Sequence, residues 1–270
     1  MNLVSFNAYR SLGVPGVRYI KPEHLFREQA LLRHADWVLF PETWQVNSLV
    51  YGLGARVFPA LPGYHLGYDK IEMTRAFWTV CPAHVPETLI LPPTETSLEA
   101  AEEQLGYPMV GKQPRNARGQ GVFLLADRQA LQAFAAREDR LYLQEYLPID
   151  RDLRVVWLGD RVISAYWRHG AEGSFHNNVA QGGRIEFTDV PCAALELVER
   201  IATRLGLDHA GFDLARVHGH WYVLEFNLLF GNEALNQAGI RLGGFIHDWL
   251  RRQSDNDGPD NSPTPWPIAS

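Results

Sequence analysis

Two hydrophobic periods alternate along the chain. Over about the first 65 residues, LVSF (3–6), VRYI (17–20), DWVLF (36–40) and ARVFP (55–59) crowd apolar and β-branched residues into short runs, which read as strands. Between them PEHLFREQALLRH (22–34), with Pro22 near its start, and TWQVNSLVYGLG (43–54), with a glycine stop, carry apolar residues at helical spacing. Strands alternating with helices predict a small parallel sheet covered by helices.

Further along, YDKIEMTRAFWTV (68–80) reads as a helix and leads into the proline-punctuated CPAHVPETLILPP. SLEAAEEQLG (97–106) is a helix with Ser97 as N-cap and Gly106 as C-cap. A strand PMVGK, a loop QPRNARGQ and a strand GVFLL follow, then the helix DRQALQAFAARED and an apolar edge strand LYLQEYL. DLRVVWLGDRVISAYWR folds back at Gly159-Asp160 as a hairpin, PCAALELVERIATRLGL is a helix, and IRLGGFIHDWLRRQ is the last one. The segment 254–270 is rich in Pro, Asp, Asn and Ser and reads as a disordered tail.

The pattern is most informative at GFDLARVHGHWYVLEFN (211–227). Two strand-like runs flank HGH, and a three-residue loop of His218, Gly219 and His220 puts Val217 opposite Trp221 and Asp213 opposite Glu225. Like charges facing each other across strands destabilise a hairpin, and Asn227 shares their face. Two readings stand at this point. Either a hard divalent cation such as Mg²⁺ joins the three oxygen donors, or the hairpin is exposed and each acid is solvated. A loop of two or four residues breaks the opposition.

Composition narrows the class. Hydrophobic residues make up 46% of 270, enough for a sizeable core, and no apolar run has the length of a membrane span. The amino terminus lacks a signal-peptide pattern, and Cys81 and Cys192 have neither metal-ligand spacing nor a disulfide framework, which suits a cytoplasmic protein. A net charge of −6 argues against nucleic acid as a bulk partner. GxSxG, HExxH and a Cys–His pairing are all missing, so hydrolase chemistry has little support. GLGARV resembles a dinucleotide fingerprint but follows a helix and precedes a strand, the wrong order.

Phosphate chemistry has more to work with. Lys112 ends a strand, and Gly119 and Gly121 follow seven and nine residues later, an arrangement that suits phosphate oxygens although a plain hairpin with a surface lysine has the same pattern. DLRV places Asp152 and Arg154 on one strand face, and RHGAEGSFHNN gathers Arg168, His169, His176, Asn177 and Asn178 in a ligand-gripping loop. His218 and His220 read as hairpin-tip residues, and His209 and His247 as helix-end or surface residues.

The order of these motifs, from YDKIEM to GGFIHDWL (about residues 68–250), resembles the ATP-grasp superfamily, most closely the RimK-type ligases. The resemblance implies an α/β (α+β) fold with a small Rossmann-like pre-ATP-grasp domain (1–66) before a two-lobed ATP-grasp domain (67–253). It implies Lys70 and Lys112 on the ATP phosphates, Gly119 and Gly121 in the loop closing over them, Glu145 and Leu147 at the adenine hinge, and Asp152 at the ribose. It also implies Arg154, Arg168, His176 and Asn178 near the acyl acceptor and the transferring phosphate, with Asp213, Glu225 and Asn227 as Mg²⁺ ligands, Mn²⁺ being an acceptable substitute. The implied activity is ATP-dependent joining of a carboxylate to an amine through an acyl phosphate, on an amino acid and a peptide, protein terminus or small carboxylate. Homo-oligomerisation is left open, and no membrane partner is implied. A grasp-type kinase and a non-catalytic nucleotide-binding module are the alternatives. His176 stands where the family's FRxN carries Arg, Asn116 where a glycine is common, and LLFG (228–231) where a small-residue and proline segment is usual.

Overall fold

A computed structural model of the chain describes residues 1–115, 121–170 and 184–256. β1 (Leu3–Ser5), β2 (Val17–Tyr19), β3 (Trp37–Leu39) and β4 (Val57–Phe58) form a parallel sheet in the order β2-β1-β3-β4, as the alternation predicts. The helix expected over 22–34 is broken into one 3-10 turn, Pro22–His24, and α1 (Gln29–Arg33). Leu25 and Leu32 still reach one core, so the apolar spacing is satisfied without a continuous helix. α2 (Thr43–Asn47) continues into a π turn, and α3 (Leu61–Gly67), which periodicity missed, leads to α4 (Lys70–Val80).

A second sheet is antiparallel. β5 (Thr88–Leu91), β6 (Met109–Lys112), β7 (Val122–Leu125) and β8 (Leu141–Glu145) assemble as β5-β8-β6-β7. β8 is therefore an interior strand and not the edge expected for LYLQEYL, because the proline-punctuated segment CPAHVPETLILPP supplies β5 beside it. α5 (Glu95–Leu105) and α6 (Arg128–Ala135) cover this sheet around Leu98, Leu131 and Phe134. The N-cap of α5 is Thr94, not Ser97: the Ser97 amide donates to the Thr94 hydroxyl at 3.3 Å. Gly106, at φ +65°, ends the helix as expected.

The third sheet carries the polar residues singled out above. β9 (Arg151–Leu158), β10 (Arg161–His169), β11 (Arg184–Glu186), β12 (His209–Val217) and β13 (His220–Asn227) lie in the order β11-β10-β9-β12-β13. Leu153, Val155 and Trp157 of β9 and Phe212 and Leu214 of β12 point to one face, where α4 and α7 (Cys192–Leu205) bury them. Alternation sends Asp152, Arg154 and Asp213 to the other face. After β13 come α8 (Glu233–Gln237) and α9 (Leu242–Asn256).

α9 returns to the first sheet, where Ile246 and Leu250 pack with Leu3, Trp37 and Phe58. It runs to Asn256, three residues into the segment expected as tail, and Trp37 Nε1 donates to Ser254 Oγ at 3.1 Å. Ending the chain after Asn256 should leave the melting temperature unchanged. Ending it after Gln253 removes that hydrogen bond and should cost about 1 kcal/mol, or roughly 2–4 °C. Differential scanning calorimetry of the two truncations checks this, and equal melting temperatures would show that the last turn contributes nothing.

Candidate active site

The hairpin β12–β13 confirms the opposition of Asp213 and Glu225, but by another route. Its loop has two residues, with His218 at φ +49° and Gly219 at φ +85°, so Val217 pairs with His220 and not with Trp221 opposite a three-residue loop. A two-residue loop alone would leave the carboxylates out of register. A bulge restores it: Leu214 faces Val223, the next pair is Asp213 with Glu225, and Leu224 is the extra residue. The bulge also reverses the alternation of β13. Trp221 and Val223 enter the core on one side of it and Phe226 on the other, which turns Glu225 and Asn227 to the face of Asp213.

What meets Asp213 there is a set of guanidinium groups. Arg154, opposite it on β9, grips both carboxylate oxygens, with Nε on Oδ1 and a terminal nitrogen 3.1 Å from Oδ2. Arg168 of β10 reaches Asp213 Oδ1 at 3.0 Å and donates through Nε to Asp152 Oδ1 at 2.6 Å. All four side chains are buried, and two positive charges match two negative ones. Burial would raise the Asp213 carboxyl, but the Arg154 and Arg168 charges outweigh it and hold the group below its ordinary value. Burial pushes the Asp152 carboxyl up, against the pull of Arg168. Asp152, expected at a ribose, is thus engaged with Arg168 in this structure.

Glu225 is the open member. Its side chain retains 30% exposure, Lys70 Nζ lies 3.9 Å from Oε2, and Asn227 Nδ2 donates to Oε1 at 3.1 Å. The same amide nitrogen is 3.5 Å from Asp213 Oδ2. An amide NH₂ between two carboxylates occupies the place a cation would take, and two carboxylates with a carboxamide are donors of the kind hard divalent ions accept. The three residues fit such an ion in kind. Asp213 would join only by giving up one of the N–H groups now on it.

Lys70 opens α4, and its backbone N–H donates to Pro114 O at 3.0 Å, tying the helix start to the strand that ends at Lys112. Lys112 Nζ donates to Gln144 Oε1 at 2.6 Å. Burial first, and the Lys70 charge second, lower its pKa to about 8, while Glu225 opposes the shift. Gly121, at φ +77°, closes the turn after Lys112 with its carbonyl 2.7 Å from the Gln113 amide nitrogen. Glu145 ends β8, its carboxylate capping the Glu87 amide at 2.7 Å, and Leu147 follows with its carbonyl accepting from Ile149. Gly119, His176 and Asn178, like Asn116, lie outside the described residues.

Two residues were underestimated. His209, expected at a helix end or on the surface, is only 1% exposed, and burial pushes its pKa down to about 3. It bonds Leu228 O at 2.8 Å and stacks on Phe230 at 4.7 Å, so this neutral imidazole anchors LLFG. Gln144 is buried beside Lys112 and not displayed on an edge. A polar residue inside the apolar run LYLQEYL was the available signal for Gln144; a lone His before Ala-Gly gave none.

Comparison with known proteins places this geometry. The family model of the RimK-like ATP-grasp domain matches residues 80–250, well over half of the chain. The chain belongs to the RimK-like ATP-grasp family. Among curated relatives, a protein of Citrobacter koseri named probable alpha-L-glutamate ligase is 31% identical over 156 residues, 55% of this chain and 52% of that protein. A ribosomal protein bS6–L-glutamate ligase of Escherichia coli is 30% identical over 159 residues, 56% and 53% of the two chains. The chain spans about half the length of the curated relatives it matches. In three dimensions this RimK-like chain is similar to an ATP-grasp RimK domain protein of Sphaerobacter thermophilus, with TM-score 0.72 at 19% identity over 92% of this chain and 99% of that one. D-alanine–D-alanine ligase of Bacillus anthracis gives TM-score 0.72 at 15% identity, covering 96% and 100%. The ATP-grasp fold expected from the motif order is therefore the observed one. Among the described residues no helix is long and apolar enough to cross a membrane.

Proposed function

We propose that this chain is an ATP- and Mg²⁺-dependent carboxylate–amine ligase that works through an acyl phosphate. The observation that carries the reading is the charged face of the third sheet. Arg154 and Arg168 are locked on Asp152 and Asp213, while Glu225, Asn227, Lys70 and Lys112 gather beside them. The site offers fixed charge in place of a nucleophile and base, which suits a reaction in which a carboxylate oxygen takes the terminal phosphoryl group of ATP. An amine then attacks the acyl carbon, and phosphate leaves as the C–N bond forms.

In this reading Lys70 and Lys112 hold the phosphates, Gly119 and Gly121 belong to the loop over them, and Glu145 and Leu147 flank the base. Asp213, Glu225 and Asn227 would hold the divalent ion, which when bound neutralises phosphate charge. Arg154 and Arg168, oriented by Asp213 and Asp152, are the cations facing the transferred group, with His176 and Asn178 assigned beside them by motif position. Asp152, whose Oδ1 accepts from Arg168, keeps the place at the ribose that the motif order implies. Beyond Phe230 a cleft of about 650 Å³ lined by Tyr9, Gly231, Asn232, Glu233, Asn236 and Gln237 offers room for an acceptor. The relatives' glutamate ligase names make an amino acid and a peptide or protein terminus the first substrates to try.

Turnover should release ADP and inorganic phosphate, because this route breaks only the terminal anhydride. Phosphorus NMR of a reaction supplied with candidate amino acids and peptides decides the matter. AMP and pyrophosphate would overturn the ligase route as drawn, and a phosphorylated product without free phosphate would make the chain a kinase.

A further inference from the structure

The second sheet holds a polar relay that the motif reading did not use. Val110 of β6 and Thr88 of β5 both pair with Gln144 of β8, so Lys112, two residues along from Val110, lies on the same face as Gln144 and Thr88. The proton direction through the relay is fixed at its far end. Thr88 Oγ1 donates to Pro86 O at 2.6 Å, which uses its only hydrogen, so toward Gln144 it can only accept. Gln144 Nε2 donates to it at 2.8 Å. That leaves Gln144 Oε1 turned to Lys112 Nζ, 2.6 Å away, and the amide orientation follows from the hydrogen bonds alone.

From this chain of bonds we propose that Gln144 is a positioning residue for ATP: it holds the Lys112 ammonium in place for phosphate by accepting one of its protons. The assignment rests on the nucleotide reading above and deepens it. The choice of an amide is physically specific. A half-buried ammonium needs an acceptor, yet a carboxylate at this place would cancel the charge that phosphate must meet. A neutral carbonyl dipole supplies the hydrogen bond and leaves the net charge intact. The charged groups acting on Lys112 from neighbouring elements are Lys70 of α4 and Glu225 of β13, and the Tyr142 ring of β8 lies 5.9 Å away. Gln144, itself 4% exposed, also anchors the relay at Thr88, so Lys112 is held against the sheet.

The test compares ATP with adenosine, which has the base and ribose but no phosphate, by titration calorimetry on the full chain. Gln144→Met, similar in size and without an acceptor, should weaken ATP about tenfold, the loss of one hydrogen bond to a charged group, and leave adenosine unchanged. Gln144→Glu keeps an acceptor but neutralises the ammonium, so it too should weaken ATP at neutral pH. The pH dependences should separate the two variants. ATP affinity that depends on charged Lys112 falls as pH rises through the lysine's pKa. The midpoint of that fall should move down in Gln144→Met and up in Gln144→Glu. Adenosine weakened as much as ATP would mean that Gln144 merely shapes the base pocket, and midpoints unmoved in both variants would mean that it does not act through Lys112; either overturns the assignment. Wild-type protein that binds no ATP would overturn the nucleotide reading and this assignment together, whereas wild-type binding that neither variant alters overturns this assignment alone.

Discussion

Asp213→Asn should abolish ATP-dependent turnover and also destabilise the fold by about 3–5 kcal/mol, the cost of leaving buried charge without its partner. Asp213 is the common counter-ion of Arg154 and Arg168, both buried, and the four-membered network is neutral only while Asp213 is ionised. An amide there would leave one positive charge uncompensated inside the sheet. Glu225→Gln should abolish turnover equally but cost under about 1 kcal/mol, as for partly exposed ion pairs. Its side chain is 30% exposed, and Lys70 stands 3.9 Å away at the rim. Opposed carboxylates by themselves suggest the contrary, that removing either would relieve repulsion and leave folding intact. The guanidinium groups reverse that expectation for Asp213. Denaturant melts together with an ADP-release assay check the pair. Equal stability losses would refute the buried network as the explanation, and full activity in either variant would remove both residues from the site.

Lys112→Ala should weaken ATP binding about 10- to 100-fold, the worth of one charge-assisted contact of about 1.5–3 kcal/mol, while Lys21→Ala should change nothing. Lys21 merely precedes a 3-10 turn at the surface, whereas Lys112 is held by Gln144 within the field of Glu225. The pH dependence has a definite sign. Burial, with the Lys70 charge, lowers Lys112 to about 8 from its ordinary value of 10.5, so free protein loses this charge as pH rises through about 8. Phosphate restores it, and ATP binding above that pH should therefore take up a proton. The wild type should show this as a buffer-dependent binding heat that Lys112→Ala abolishes. Stability runs the other way: between about 8 and 10.5 the unfolded chain binds a proton that the folded chain does not, so folding gains as pH rises through that window. Calorimetry at pH 8.5 in phosphate and Tris decides the point, and identical heats for the wild type would mean that Lys112 is not the titrating group.

The sequence by itself determined which strands exist and which residues carry charge on an apolar background. Period-two runs such as DLRVV and GFDLARV fix side-chain faces locally, so the common face of Asp152 and Arg154 was legible before any fold was known. Helix ends set by local chemistry, such as Gly106, were legible for the same reason. The opposition of Asp213 and Glu225 was legible only in outcome. A two-residue turn and a bulge at Leu224 offset one another, and nothing in WYVLEFN marks the bulge, because it forms where β13 must bury Trp221 and Val223 on one side of it and Phe226 on the other. Tertiary structure alone decided the rest. Arg154 and Arg168 meet Asp213 because β9, β10 and β12 are neighbours in a sheet whose order no local pattern encodes. Gln144 lost its edge because a segment more than fifty residues away in sequence supplied β5, and the ring of His209 was buried by Phe40, Phe58 and Phe230. Local propensity sets the face a side chain points to; what waits on that face is set by strand order and burial, which are properties of the assembled chain.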